Sequence, residues 1–301
     1  KIGRKRKMDL IISAISQGLL WSLLSLGLFI SFRVLNIADM TTEGSYPLGA
    51  AVCVMLIQSG YSPLTATIIA MLVGSLAGLV TAIFINICKI PSLLAGILTM
   101  TALLSVNLRI MKRPNLSLLN KETIFDSLSK LNLPPYFDII LLGLVVISIV
   151  ILAMHLFFNT ELGQALIATG DNPKMATSLG ISTKKMTTLG LMLSNSLIAL
   201  TGAILSQNNG YADVNSGLGV IVVALAAIII AEVIFTDVNF LTRLVCIVFG
   251  SMIYRLLLVF VLKLNVIQAN DFKLVSALLI ALFLSVPELK KFSLKLGKGD
   301  K

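Results

Sequence analysis

The sequence predicts an all-α polytopic bundle of transmembrane helices, and three observations carry that expectation. Hydrophobic residues make up 57% of the chain and charged ones 13%, about half the charged share of a soluble domain. Apolar runs of about 20 residues, enough to cross a hydrocarbon core about 30 Å thick, recur along the whole length. The pattern of runs and breaks also repeats: an offset of 174 residues lays Ala38-Asp39 on Ala212-Asp213 and Lys89 on Lys263. A water-soluble globular protein is excluded, and the bilayer is the solvent.

Nine candidate segments follow in order, at 10–32, 45–58, 63–87, 91–110, 137–158, 186–207, 218–235, 242–262 and 272–287, giving eight to nine spans in a single domain over 1–301. The first apolar run is too long for a secretory signal and lacks a small-residue cleavage site. Because the chain opens on Lys1 and not Met, it is expected to begin downstream of its natural start or to be a processed form. Segment 45–58 is short and follows Asn36-Ile-Ala-Asp-Met-Thr-Thr-Glu-Gly44, which predicts a discontinuous helix near 36–46. The connection 111–136, with Pro114, Pro134 and Pro135, predicts an ordered loop. The connection 159–185 starts with a helical pattern, breaks at Gly170-Asp-Asn-Pro173, and resumes until Gly180. That is a short helix capped by Asp171 or Asn172, with Pro173 in its first turn and a terminal glycine. The stretch 207–218 could shape an outer gate, but such a run is more often a turn rich in Asn and Gly.

Lys290, Lys291, Lys295, Lys298 and Lys301 place the tail 288–301 in the cytoplasm, and four spans back the segment 159–185 falls on the same side. The loop 111–136 is then extracellular. Five further spans put the N-terminus outside, against the charge of Lys1, Arg4, Lys5, Arg6 and Lys7. An absent upstream span, a re-entrant early segment or an N-terminus that breaks the rule would each resolve the conflict. The repeat favours an outside start: halves 10–110 and 186–287 are separated by an odd number of spans, so they are inverted in the membrane, as in many transport folds.

The net charge of +10 is gathered at the ends and in short connections, so anionic lipid headgroups are the expected partner and nucleic acid is not. Cys53, Cys88 and Cys246 have no metal-ligand spacing and read as small hydrophobes. His155 is the one histidine, too few for a metal site or a triad, and reads as interfacial. With no Walker A run, the chain is expected to bind no cofactor and to be no enzyme.

A carboxylate near mid-membrane costs about 2.5–3.5 kcal/mol on insertion scales and is usually kept for a path, a pair or a ligand. Asp39 and Glu43, with Asn36 and Thr42 in the same break, are therefore the candidate translocation path; a break at headgroup level would merely solvate them. Arg33, one turn away, is a candidate partner for either carboxylate. Glu232 and Arg255 are flanked by apolar residues. Arg255 could pair within the membrane or meet a substrate carboxylate, or it could snorkel to the interface beside Tyr254. Asn107 and Asn195 read as helix-packing glue.

The stretches Leu35-Asn-Ile-Ala-Asp-Met-Thr-Thr-Glu-Gly44, Gly49-Ala50, Ile90-Pro-Ser-Leu and Glu161-Leu-Gly-Gln-Ala through Ala168-Thr-Gly-Asp-Asn-Pro-Lys-Met-Ala to Leu179-Gly-Ile181 resemble the permeases of the branched-chain amino acid and ribose ABC importer family. Tyr254-Arg255-Leu and Asp271-Phe-Lys-Leu are similar to a bacterial subgroup, often Gram-positive, linked to tryptophan or tyrosine uptake. The resemblance implies a plasma-membrane permease that works as a homodimer, with ATP and Mg on a separate ATPase subunit and an extracellular binding protein delivering substrate to 111–136 and 207–218. It implies that Glu161, Gly163, Gly170, Asp171, Asn172, Pro173, Ala176, Leu179 and Gly180 form the coupling segment seated on the ATPase. Amino acids are favoured as substrate over a sugar or nucleoside. The competing reading is an ion-coupled secondary transporter, which would have no need of the capped connection 159–185.

Overall fold

Helices dominate every part of the chain that the structure, a computed structural model, describes: residues 2–119, 121–129, 136–236 and 238–263, with Leu274, Ala277, Leu278, Ala281 and Ser285 beyond them. The expected ninth span and the basic tail fall largely outside these residues. Helix α1 (Ile2–Phe29) runs into a π-helical turn, Ile30–Val34, and α2 (Thr42–Gln58), α3 (Pro63–Asn86) and α4 (Ser92–Met111) follow. Strand β1 (Asn115–Ser117), the short α5 (Ile124–Ser129), α6 (Phe137–Phe158), α7 (Glu161–Asp171) and α8 (Pro173–Ser178) lead to α9 (Thr183–Asn209). Strand β2 (Tyr211–Asp213), a 3-10 turn (Val214–Gly217), α10 (Val220–Ile234) and α11 (Phe240–Lys263) complete the order. Among the described residues seven helices are long and apolar enough to span a bilayer; α2, of 17 residues, is not one of them.

Side chains sort by size and not by polarity, as expected where lipid supplies no hydrophobic drive between helices. On α3 the large Leu64, Ile68, Leu72, Leu76 and Val80 face outward, while Ala66, Ala70, Gly74, Ala77 and Gly78 are buried. Helix α9 is the hub, packed on α1, α2 and α3. It is rich in Ser, Asn, Ala, Thr and Gly, and neighbouring backbones come close enough that a Cβ added at Gly49 would lie 2.0 Å from the Ala199 carbonyl oxygen.

Polar contacts mark two faces of the bundle. On one, Asn86 at the end of α3 donates to the Lys184 carbonyl at the start of α9, and Arg33 at the end of α1 meets Glu232 at the end of α10. This face carries α7 and α8. On the other, β1 pairs antiparallel with β2, Gln58 at the end of α2 donates to the Ser117 carbonyl, and the Ile124 N–H donates to Gln207 at the end of α9. Helix α1 therefore starts on the face opposite α7 and α8, as the span count expects. The loop 111–136 is ordered where described, with β1 and α5 held to the end of α9.

The 174-residue repeat extends to individual hydrogen bonds. Asn36 and Gly210 both take left-handed backbone, at φ 55° and 77°. Asp39 Oδ1 accepts the Thr41 N–H at 2.9 Å, and Asp213 Oδ1 accepts the Asn215 N–H at 2.8 Å. The Thr42 hydroxyl donates to the Asp39 carbonyl, and the Ser216 hydroxyl to the Asp213 carbonyl. Because α1 ends on one face and α9 on the other, the two breaks enter from opposite sides. They meet where Gly217 lies against the Glu43 carbonyl, which a Cβ there would approach to 1.9 Å. The stretch 207–218 is thus more than a turn rich in Asn and Gly: it leaves α9 by a strand and a 3-10 turn whose Gly217 packs against the start of α2, and a polar Gly-rich pattern does not separate the two cases.

Candidate functional site

Where α1 gives way, two backbone bonds wider than the α-helical kind close the π turn: the Leu35 N–H donates to the Ile30 carbonyl and the Ile37 N–H to the Ser31 carbonyl. Such turns recur at functional points in helices. The chain then needs groups to satisfy the free N–H groups that open α2, and Asp39 supplies one. It is 2% exposed, and its second oxygen accepts Asn195 Nδ2 at 2.7 Å; Asn195 Oδ1 in turn accepts the Ser45 hydroxyl at 2.6 Å. The hydroxyls of Thr41, Thr81 and Thr99 link α2, α3 and α4 at the same break, at 2.7 and 3.0 Å.

Of the five path candidates, the structure brings four together at this break and holds Arg255 apart. Asn36 is exposed and donates to the Gly170 carbonyl at 3.2 Å. Thr42 is buried, and Glu43 is half-buried and accepts the Gly219 N–H at 3.0 Å. The Arg255 guanidinium lies 4.7 Å from the centroid of Trp21, which stacks on Tyr46; this is a cation–π contact. Arg33 pairs with neither Asp39 nor Glu43. It forms a two-pronged bridge to Glu232, at 2.6 and 2.9 Å, so Glu232 is not the partner of Arg255. Cys53 also departs from a plain hydrophobe: with Thr67 it accepts Gln207 Nε2, in a buried polar knot between α2, α3 and α9.

Helices α7 and α8 form as their caps dictate. The Thr160 hydroxyl accepts the Gly163 N–H, Asn172 Oδ1 accepts the Met175 N–H, Pro173 opens α8, and Gly180 follows it at φ 83°. The nine residues placed in this segment by resemblance divide into two sets. Gly163, Gly170 and Ala176 are buried inward: a Cβ at Gly170 would sit 1.7 Å from the Val34 carbonyl oxygen. Glu161, Asp171, Asn172, Pro173, Leu179 and Gly180 face outward, joined by Leu162 and Met175, which are 53% and 47% exposed and were not singled out from sequence. Their outward direction depends on which face of α7 packs on the break, and apolar spacing alone does not reveal it.

The segment therefore has an exposed outer surface, on which Leu162, Met175 and Leu179 stand among charged and polar residues, and an inner surface pressed against the break. A sequence model of the family described as branched-chain amino acid transport system / permease component matches residues 10–286. The tyrosine transport system permease protein of Clostridioides difficile (strain R20291) is 39% identical over 282 residues, covering 94% of this chain and 92% of that protein. The autoinducer 2 import system permease protein LsrC of Escherichia coli O9:H4 (strain HS) is 26% identical, over 70% of this chain and 60% of that one. In fold, the chain is similar to a structure of PsaBC from Streptococcus pneumoniae in complex with Fab, with a TM-score of 0.52 at 16% identity, covering 96% of this chain and 94% of that one. The chain belongs to the family of branched-chain amino acid transport system permease components, the membrane-spanning part of ABC importers.

Proposed function

We propose that this chain imports amino acids, aromatic ones favoured, across a bacterial cell membrane, driven by ATP hydrolysis on a separate subunit. One observation carries the proposal: α7 and α8 present Leu162, Met175 and Leu179 outward, while Gly170 on their inner side abuts the Val34 carbonyl and accepts Asn36. An ATPase seated on the outer surface moves the segment, and the rigid inner contact carries that movement to the break holding Asp39, Thr42 and Glu43. The face bearing α7 and α8 is then cytoplasmic. The opposite face, with β1 and β2, receives an extracellular binding protein, a second copy completes the path, and the basic tail rests on anionic lipid. The amino-acid preference draws on the likeness to the C. difficile tyrosine permease.

Co-expression with candidate ATPases from the genomic neighbourhood, followed by purification in lipid, tests this. An ATPase that co-purifies and hydrolyses ATP is expected. A chain that stays alone and moves solute under an ion gradient would make it a secondary carrier instead.

A further inference from the structure

Where the two breaks meet, a cleft of about 230 Å³ opens between the start of α2, the 3-10 turn and α4. Its walls are largely apolar, from Pro47, Met100, Leu104, Val214 and Leu218. Two side-chain oxygens among its lining residues have accepting capacity to spare, one on Glu43 and one, fully buried, on Asn107. Glu43 Oε1 takes the Gly219 N–H, which leaves Oε2 without a partner among the described residues. Asn107 is fully buried; its Nδ2 donates to the Gly44 carbonyl at 3.3 Å, which fixes the amide orientation and leaves Oδ1 buried with no partner. An unmet buried acceptor is costly, and no Lys, Arg or His lines the cleft among the described residues.

We propose that this cleft binds the ammonium group of the transported solute, between the Glu43 carboxylate and Asn107 Oδ1, with the apolar walls taking its side chain. An ammonium offers three N–H donors and no acceptor, the complement of what the cleft presents, and its charge-assisted bond to a carboxylate is the stronger kind. A bare metal ion fits less well, since hard cations take six or more oxygens. The proposal rests on the transport function above and adds to it the end of the solute that the membrane domain recognises.

Titration calorimetry of the permease in lipid nanodiscs, with the candidate ATPase added or left out, separates the site from the importer. The probes are tyramine, which keeps the amine and lacks the carboxylate, and 3-(4-hydroxyphenyl)propionate, which does the reverse. Tyramine is expected to bind saturably and the propionate not. Glu43→Gln keeps an acceptor for the Gly219 N–H and is expected to weaken tyramine about tenfold to hundredfold. Asn107→Leu, which leaves the Gly219 link untouched, is expected to weaken it as well, and Asn107→Asp combined with Glu43→Gln to restore part of it. Equal binding of both probes, or tyramine binding that neither single variant changes, would leave a water-filled cleft only and overturn the proposal. ATP hydrolysis by the same preparation reports separately on the importer: a Glu43-dependent site in a chain that recruits no ATPase would keep the site and remove the importer.

Discussion

Asp39, Asn195 and Ser45 form a buried hydrogen-bonded chain that joins the start of α2 to the middle of α9. Inside a bilayer such a chain holds its shape because each member would be costly unpaired. Replacing Asn195 with Leu strands the Asp39 oxygen and the Ser45 hydroxyl; a loss of about 1–3 kcal/mol per stranded group is expected, read as reduced thermal stability in lipid. The Arg33–Glu232 bridge behaves differently. Its side chains are 48% and 25% exposed, so solvent screening keeps it weak: a double-mutant cycle with Arg33→Met and Glu232→Gln is expected to give a coupling below about 1 kcal/mol. The polar residues themselves were legible in the sequence, since an Asp or Asn in an apolar run stands out. Their partners were not. Asn195 lies 156 residues from Asp39 and Glu232 lies 199 from Arg33, and local spacing put Arg33 next to the wrong carboxylates.

At the scale of elements, α7 and α8 are anchored by glycine. Gly170→Val would drive its side chain into the Val34 carbonyl, only 1.7 Å from the Cβ position, and force α7 off the break. The complex is expected to assemble and hydrolyse ATP while uptake falls sharply; uptake equal to the parent protein would show that the contact transmits nothing. The capped helix itself was legible because Asn172, Pro173 and Gly180 are local signals. The discontinuity at 36–46 was legible as well, because a polar stretch that interrupts an apolar run has few other places to go in a membrane. The 3-10 turn at 214–217 was not, because its role depends on Gly217 meeting a backbone from the other half.

At the scale of the molecule, two inverted halves bring their breaks together at Glu43 and Gly217, and the connection between the halves supplies α7 and α8 on one face. The offset that relates the halves was visible in a few matched residues; the repeated hydrogen bonds at Asp39 and Asp213 give it physical content. The arrangement links the exposed outer surface of α7 and α8 to the break before α2 by close contacts, so the energy source is expected to act from outside the chain. The most direct measurement is tyrosine uptake into proteoliposomes containing this permease, its ATPase and its binding protein, with ionophores collapsing every ion gradient. Accumulation that requires ATP and persists with the ionophores present is the predicted result. Accumulation that ATP does not affect and that vanishes when the gradients collapse would contradict it.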